Sequence, residues 1–203
     1  MNKYEEMDKN IRKQILDSVR TAEMIAATDD ILSVISDAAD AVILAFRSNG
    51  KVMLAGNGGS AADSQHIAAE FVNRFYFDRD GLPAIALTTD TSVLTAIGND
   101  YGFDRVFARQ ISTFGNKGDV FIAFSTSGTS VNIIEALKEC RLKDIKTIGF
   151  TGSSGGKMNE LCDFLIRIPS AETPRIQEMH ILIGHIICSI VEGAIFGNPE
   201  KVK

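Results

Sequence analysis

An α/β fold is what this sequence predicts, with five parallel strands in the flavodoxin-like order and helices on both faces of the sheet. Two observations lead there. From Lys51 onward, short apolar runs alternate with longer stretches of helical period, the βαβα order in which helical crossovers join parallel strands. The short runs are also continuously apolar rather than alternating, as strands covered on both faces should be.

The strand candidates are 52–55, 84–87, 120–124, 147–150 and 164–168, with helical stretches between them at about 60–76, 91–98, 103–114, 129–142 and 156–162. A last long helix covers about 174–196. Five strands suit the flavodoxin-like order, which sets ligands at the carboxyl ends of the strands. Two amphipathic helices come first: Ile11, Ile15, Val19 and Ala22 recur at helical spacing, as do Ile31, Ile35, Ala38, Val42, Ala45 and Phe46. Thr28, Asp29 and Asp30 between them supply a stop and an N-cap for the second helix. Such a leading helix packs either on a partner subunit or on its own sheet. No Pro/Gly linker, repeat or low-complexity tract divides the chain. Residues 1–203 are therefore read as one domain, a helical arm over 1–49 and an α/β core over 50–203.

Composition narrows the function classes. The 203 residues are 45% hydrophobic and 23% charged, ordinary for a globular protein, and the formal net charge is -5. Binding to nucleic acid or to an anionic membrane surface needs a basic face, so neither is expected. A small anion needs only a few local donors. Cys140, Cys162 and Cys188 are scattered and odd in number, which fits buried thiols in a reducing compartment better than a disulfide framework. The polar, acidic first ten residues lack a signal-peptide core, and no run of 18 or more uncharged apolar residues occurs. A cytoplasmic protein that spans no membrane is the expectation.

Two loops carry the chemistry. After the first strand come Gly56, Asn57, Gly58, Gly59 and Ser60, where glycines allow a sharp turn and close approach to a ligand. The run is neither a Walker A loop nor a dinucleotide fingerprint. After the third strand come Ser125, Thr126, Ser127, Gly128, Thr129 and Ser130. Hydroxyls at a strand-to-helix turn add to the helix N–H groups and cradle a phosphate dianion without lysine. Helix capping alone would use one or two of them.

Two further elements bear titratable groups. His66 and Glu70 are four apart on the helix after the glycine loop, hence on one face. A pair at that spacing can bind a divalent metal or set a carboxylate base beside an orienting imidazole. The run from Arg175 through Ile176, Gln177, Glu178, Met179 and His180 to His185 lies on the last helix. Gln177 and His185 are about 80° apart around that helix but ~12 Å apart along it. They share a centre only if long side chains converge, or if they come from different subunits. Taken alone, His185 among Ile183, Ile186 and Ile187 reads as a buried, satisfied histidine.

Taken together, residues 56–71, 96–100, 125–130 and 175–185 resemble the phosphoheptose isomerases, within the SIS (sugar isomerase) fold. The resemblance runs along nearly the whole chain from about residue 50 and implies conversion of D-sedoheptulose 7-phosphate into D-glycero-D-manno-heptose 7-phosphate, a step toward the heptose of bacterial lipopolysaccharide or related glycans. It assigns the phosphate to Ser125, Thr126, Ser127 and Ser130. The sugar side falls to Asn57, Gly58, Gly59 and Ser60, with Asn99 and Asp100 nearby and His66, Glu70 and Gln177 in contact. Glu70 becomes the base and His185 the acid. Zinc, one ion per subunit, is implied on His66, Glu70, Gln177 and His185. The resemblance also implies a homotetramer with active sites between subunits, so that carboxylate and imidazole meet across a subunit boundary.

A non-catalytic relative that binds the bacterial replication initiator shares this fold and its loops. In that regulator the positions matching Glu70 and His185 cannot do acid–base work, and a glycine of the first loop is lost; here Glu70, His185, Gly58 and Gly59 are all present. A phosphosugar-sensing module usually accompanies a DNA-binding or nucleotide-sensing domain, and with residues 1–203 read as one domain no such companion is expected here.

Overall fold

A computed structural model describes residues 3–197, leaving the first two and last six positions of the expected domain outside the described residues. Seven α-helices and five strands follow in the order α1 (Lys3–Ala26), α2 (Asp29–Arg47), β1 (Val52–Ala55), α3 (Gly59–Val72), β2 (Ala84–Ala86), α4 (Thr91–Tyr101), α5 (Val106–Phe114), β3 (Val120–Phe124), α6 (Val131–Leu142), β4 (Lys146–Thr151), β5 (Phe164–Arg167) and α7 (Thr173–Phe196). The strands are parallel and ordered β2-β1-β3-β4-β5, the flavodoxin-like arrangement. In the register, Leu54 of β1 stands between Ala86 of β2 and Ile122 of β3.

The uninterrupted apolar runs are explained by burial on both sides. Val52 and Leu54 join a core with Ile35, Val42, Ile67, Phe71, Ile183 and Val191 of α2, α3 and α7. Met53 and Ala55 join the opposite core with Ile97, Phe107, Ile111, Ile133 and Leu137 of α4, α5 and α6. Each fully buried aliphatic side chain contributes roughly 1.5–3 kcal/mol. Placing both faces under helices therefore turns every position of the central strands β1 and β3 into core, while the edge strands β2 and β5 keep exposed positions such as Ile85 and Arg167.

Several boundaries differ from the sequence pattern, each for a local reason. Thr28 stands at the N-cap of α2, yet its hydroxyl donates back to the Met24 carbonyl (2.7 Å) and caps nothing. The stretch expected as helix at 156–162 is a 3-10 turn, Gly156–Glu160, entered through Gly155 in the left-handed region. The stretch at 103–114 splits into a 3-10 turn, Phe103–Arg105, and α5. α3 ends at Val72 because the N–H groups of Phe75 and Tyr76 are taken by the Glu192 carboxylate (2.9 and 2.8 Å) rather than by the helix.

α7 is long and apolar enough, by length and composition, to cross a membrane. Here it is a core helix: Ile176, Met179, Ile183, Ile187 and Val191 are buried, and so are Arg175, His180 and Glu192, each with a hydrogen-bond partner. Arg175 and Glu178 fasten α1 to it. The guanidinium donates to the Gln14 carbonyl, to Ser18 Oγ (2.7 Å) and to Glu178 (2.6 Å), and Ser18 donates to the second Glu178 oxygen (2.6 Å).

Candidate active site

Both loops leave the sheet where the strand order reverses, at the carboxyl ends of β1 and β3, the crevice in which this architecture binds ligands. The first turns sharply at Gly58, whose φ of 56 and ψ of -122 suit glycine and no other residue. Asn57 does not hang free at its tip. It trades two hydrogen bonds with the buried Asn132 on the first turn of α6 (2.9 and 2.8 Å), which ties the two loops together. Asn132 is a residue of this crevice that the sequence pattern did not flag; its position two residues past Ser130 was the available signal.

In the second loop the hydroxyls are not spent on capping. Ser130 is the N-cap residue of α6 but makes no side-chain cap, and its Oγ instead meets that of buried Ser125 (3.0 Å). Ser127 Oγ accepts from the Thr129 amide and hydroxyl. The Thr126 carbonyl is fixed by Gly152 N–H (2.9 Å). At Gly128 the loop lies backbone on backbone over Gly155 and Gly156, where a Cβ would stand 2.2 Å from the Gly155 oxygen. The loop is thus held rigid from below, with Ser127 and Thr129 exposed on top.

α3 and α7 run parallel and in step. Gln177 Nε2 reaches Ser60 Oγ (3.4 Å), Gly184 lies against Ile67, and Glu192 binds the Phe75 amide, the partner in each case being 117 residues away. This alignment carries His185 to His66. Their Nε2 atoms are 2.8 Å apart, and His66 Nε2 is 3.2 Å from Glu70 Oε1. The three side chains converge within one protomer, so no subunit boundary is needed to join Glu70 to His185, contrary to the expectation. Nor is His185 enclosed: Ile183 and Ile187 are buried, but His185 is half-buried and faces His66 and the Phe75 ring (5.6 Å between centroids).

The other expected site residues divide. Ser60 is buried at the start of α3, and Gln177 lies across Gly59 beside it, two turns of α7 before His185. Asn99 and Asp100 are exposed on the last turn of α4 and bonded to each other (2.8 Å). No hydrogen bond links them to the cluster.

The donor set fits a divalent cation. One ligand atom each from His66, Glu70 and His185 lies within 4.8 Å of the others. A tetrahedral shell with bonds of ~2.0–2.1 Å sets its donors about 3.3 Å apart, and His66 Nε2 stands 3.2 Å from Glu70 Oε1 and 2.8 Å from His185 Nε2. Asp63, one turn before His66 on α3, has its carboxyl pushed up to about 6, chiefly by burial and against the pull of His66. Its Oδ2 is buried without a protein partner. The thiols take no part: burial raises all three, Cys162 to about 12, so none is a nucleophile near neutral pH.

Comparison with known proteins agrees with this geometry. The sequence matches the SIS domain family over residues 6–152. It is 58% identical to phosphoheptose isomerase 2 of Campylobacter jejuni over 98% of this chain and 99% of that protein. It is 57% identical to the phosphoheptose isomerase of Aneurinibacillus thermoaerophilus over 95% and 97% of the two chains. Among solved structures, phosphoheptose isomerase GmhA from Neisseria gonorrhoeae superposes with a TM-score of 0.86 at 40% identity, covering 92% of this chain and 99% of that one. The fold, the convergent cluster and these near full-length matches make the chain an isomerase belonging to the phosphoheptose isomerases of the SIS domain family.

Proposed function

We propose that the chain interconverts D-sedoheptulose 7-phosphate and D-glycero-D-manno-heptose 7-phosphate, as an aldose–ketose isomerase. The observation that carries this reading is the meeting of Glu70, His66 and His185 below two loops suited to a phosphosugar. Along α3, His66 lies about 10 Å from the level of Gly59 at 1.5 Å per residue, so a molecule reaching from the crevice to the cluster must be extended. Phosphate would sit on Ser125, Thr126, Ser127 and Ser130 and the first-turn N–H groups of α6. Asn57, Gly58, Gly59, Ser60 and Gln177 would flank the sugar.

The chemistry needs a base that reaches two adjacent carbons and an acid at their oxygens. Glu70 takes the C1 proton of the ketose while His185 delivers a proton to the C2 carbonyl oxygen, giving a cis-enediol. Return of the carbon-bound proton to C2, with loss of the O1 proton to His185, gives the aldose. Glu70 Oε1 faces His66, and in this reading the second carboxylate oxygen would take the proton. His66, Glu70 and His185 would hold zinc, which when bound supplies Lewis-acid polarisation of the carbonyl. Gln177, expected as a fourth ligand, is instead turned to Ser60 and Gly59 two turns away and would contact the sugar.

His66 retains 49% side-chain exposure, so one protomer leaves the cluster open to water. A homotetramer would cover it and could bring Asn99 and Asp100 from a neighbouring copy. α7 presents Leu182, Ile186 and Ile190 as an exposed apolar stripe next to His185, bordering a cleft of ≈ 250 Å³ with Tyr76. A cytoplasmic enzyme supplying lipopolysaccharide heptose is the setting this implies, with residues 1–203 as one SIS domain.

The deciding experiment is an isomerase assay on sedoheptulose 7-phosphate with and without added zinc, alongside elemental analysis and sedimentation. Turnover that a chelator abolishes and zinc restores supports the reading. Absence of turnover in the zinc-replete protein overturns it, and chelator-insensitive turnover without bound metal removes zinc alone.

A further inference from the structure

Behind the cluster sits a second charged group that the reaction does not use. Arg79 and Glu192 are buried, with side chains 3% and 2% exposed, and paired from Nε to Oε1 at 3.0 Å. Arg79 Nη2 donates to the Glu70 carbonyl (2.8 Å), and Nη1 to the carbonyls of Phe71, Asn73 and Asp80 (2.7, 3.0 and 2.9 Å). The guanidinium therefore closes the C-terminal end of α3, where free carbonyls favour a cation, on the turn that bears Glu70. Glu192 accepts the Phe75 and Tyr76 amides, which fixes those rings beside His185. Glu192 lies seven residues after His185, two turns along nearly the same face of α7.

From this we infer that Arg79 and Glu192 are positioning residues. They join the end of α3 to α7, and thereby set the gap between Glu70 and His185 and the wall formed by Phe75 and Tyr76. Stability alone does not account for such a pair, because an apolar replacement of similar volume is often as stable as a buried ion pair. The inference rests on the proposed roles of Glu70 and His185.

The test compares wild type, Glu192→Gln, and the paired replacement Arg79→Met with Glu192→Leu, which leaves no unpaired buried charge if the single variant does not fold. Each is assayed for kcat and KM on sedoheptulose 7-phosphate, and titrated with Co²⁺ by absorbance. Residues that orient metal ligands typically cost 10–100-fold in activity or metal affinity when changed. Expected are a fall of about that size in kcat and in Co²⁺ affinity, with KM within about twofold because the phosphate loop on β3 and α6 is untouched. A folded variant with wild-type kcat and Co²⁺ affinity overturns the inference. A wild type that binds Co²⁺ but has no turnover overturns the substrate reading, while the Co²⁺ comparison still judges the pair. A wild type that neither binds nor turns over overturns both.

Discussion

Gln177 of α7 lies directly across Gly59 of α3, so close that a Cβ at Gly59 would stand 2.7 Å from Nε2 and 2.9 Å from Oε1 of the amide. The obstacle is the tip of a flexible side chain, which can swing aside at little cost. Gly59→Ala is therefore expected to leave thermal stability within about 1 kcal/mol, since alanine also favours the helix. Its displaced amide should lower kcat/KM about tenfold or more, on the scale of a mispositioned reactant. Unchanged kcat/KM in a normally folded variant would take Gln177 out of the site.

The acid–base pair makes a separable prediction. Glu70→Gln and His185→Ala should each lower kcat by about 10²–10⁴. Both side chains are partly exposed at the mouth of the cluster. Melting temperatures of the metal-free proteins should accordingly shift by no more than about 2–4 °C. Wild-type turnover in either variant removes that residue from its role.

For the phosphate loop the signature is a split between KM and kcat. Ser125→Ala with Ser127→Ala removes the Ser125–Ser130 contact and the hydroxyl that orders Thr129. Losing one buried hydrogen bond costs about 1 kcal/mol of stability. Losing charge-assisted bonds to a dianion costs more, about 1.5–3 kcal/mol each, or ten- to a hundredfold in KM. An unchanged KM for the phosphosugar would place the phosphate elsewhere.

Much of this was legible in the residues themselves. Strands buried on both faces show as unbroken apolar runs, and a glycine run or serine run after a strand marks the loop ends of the crevice. His66 and Glu70 declare a shared face by their spacing of four. What the pattern cannot carry is the offset between two packed helices. Helical period says which face of α7 bears His185, but only the parallel, in-step packing of α3 and α7 brings that face to His66. The end of α3 was hidden for the same reason: it is set by Glu192, more than a hundred residues on. The Arg175 to Glu178 run also proved to have two functions, with Gln177 turned to Gly59 while its charged neighbours hold α1.

His180 supplies the pH prediction. It is fully buried between the rings of Phe124 and Phe150, with Nε2 3.3 Å from the Thr151 carbonyl, and burial pushes its imidazole down to about 4. The unfolded chain takes up a proton at this residue near pH 6.5, and the folded chain does so only near 4. Stability is therefore full above about pH 6.5 and falls through that window by on the order of 3 kcal/mol. Asp63 acts in the opposite sense. Its carboxyl, raised to about 6, holds a proton in the fold that the unfolded chain has released, so its contribution improves as pH falls toward 4. The two overlap, and a variant is needed to separate them. His180→Leu removes the titrating ring and its unpartnered Nδ1, and the Thr151 carbonyl keeps the Ile168 amide (2.9 Å). Denaturant unfolding between pH 4 and 7 should show wild type losing stability on acidification and His180→Leu losing distinctly less, with kcat at pH 7 unchanged. Parallel pH profiles for the two proteins would mean that His180 takes up its proton in the fold at the same pH as in the unfolded chain, and would overturn the prediction.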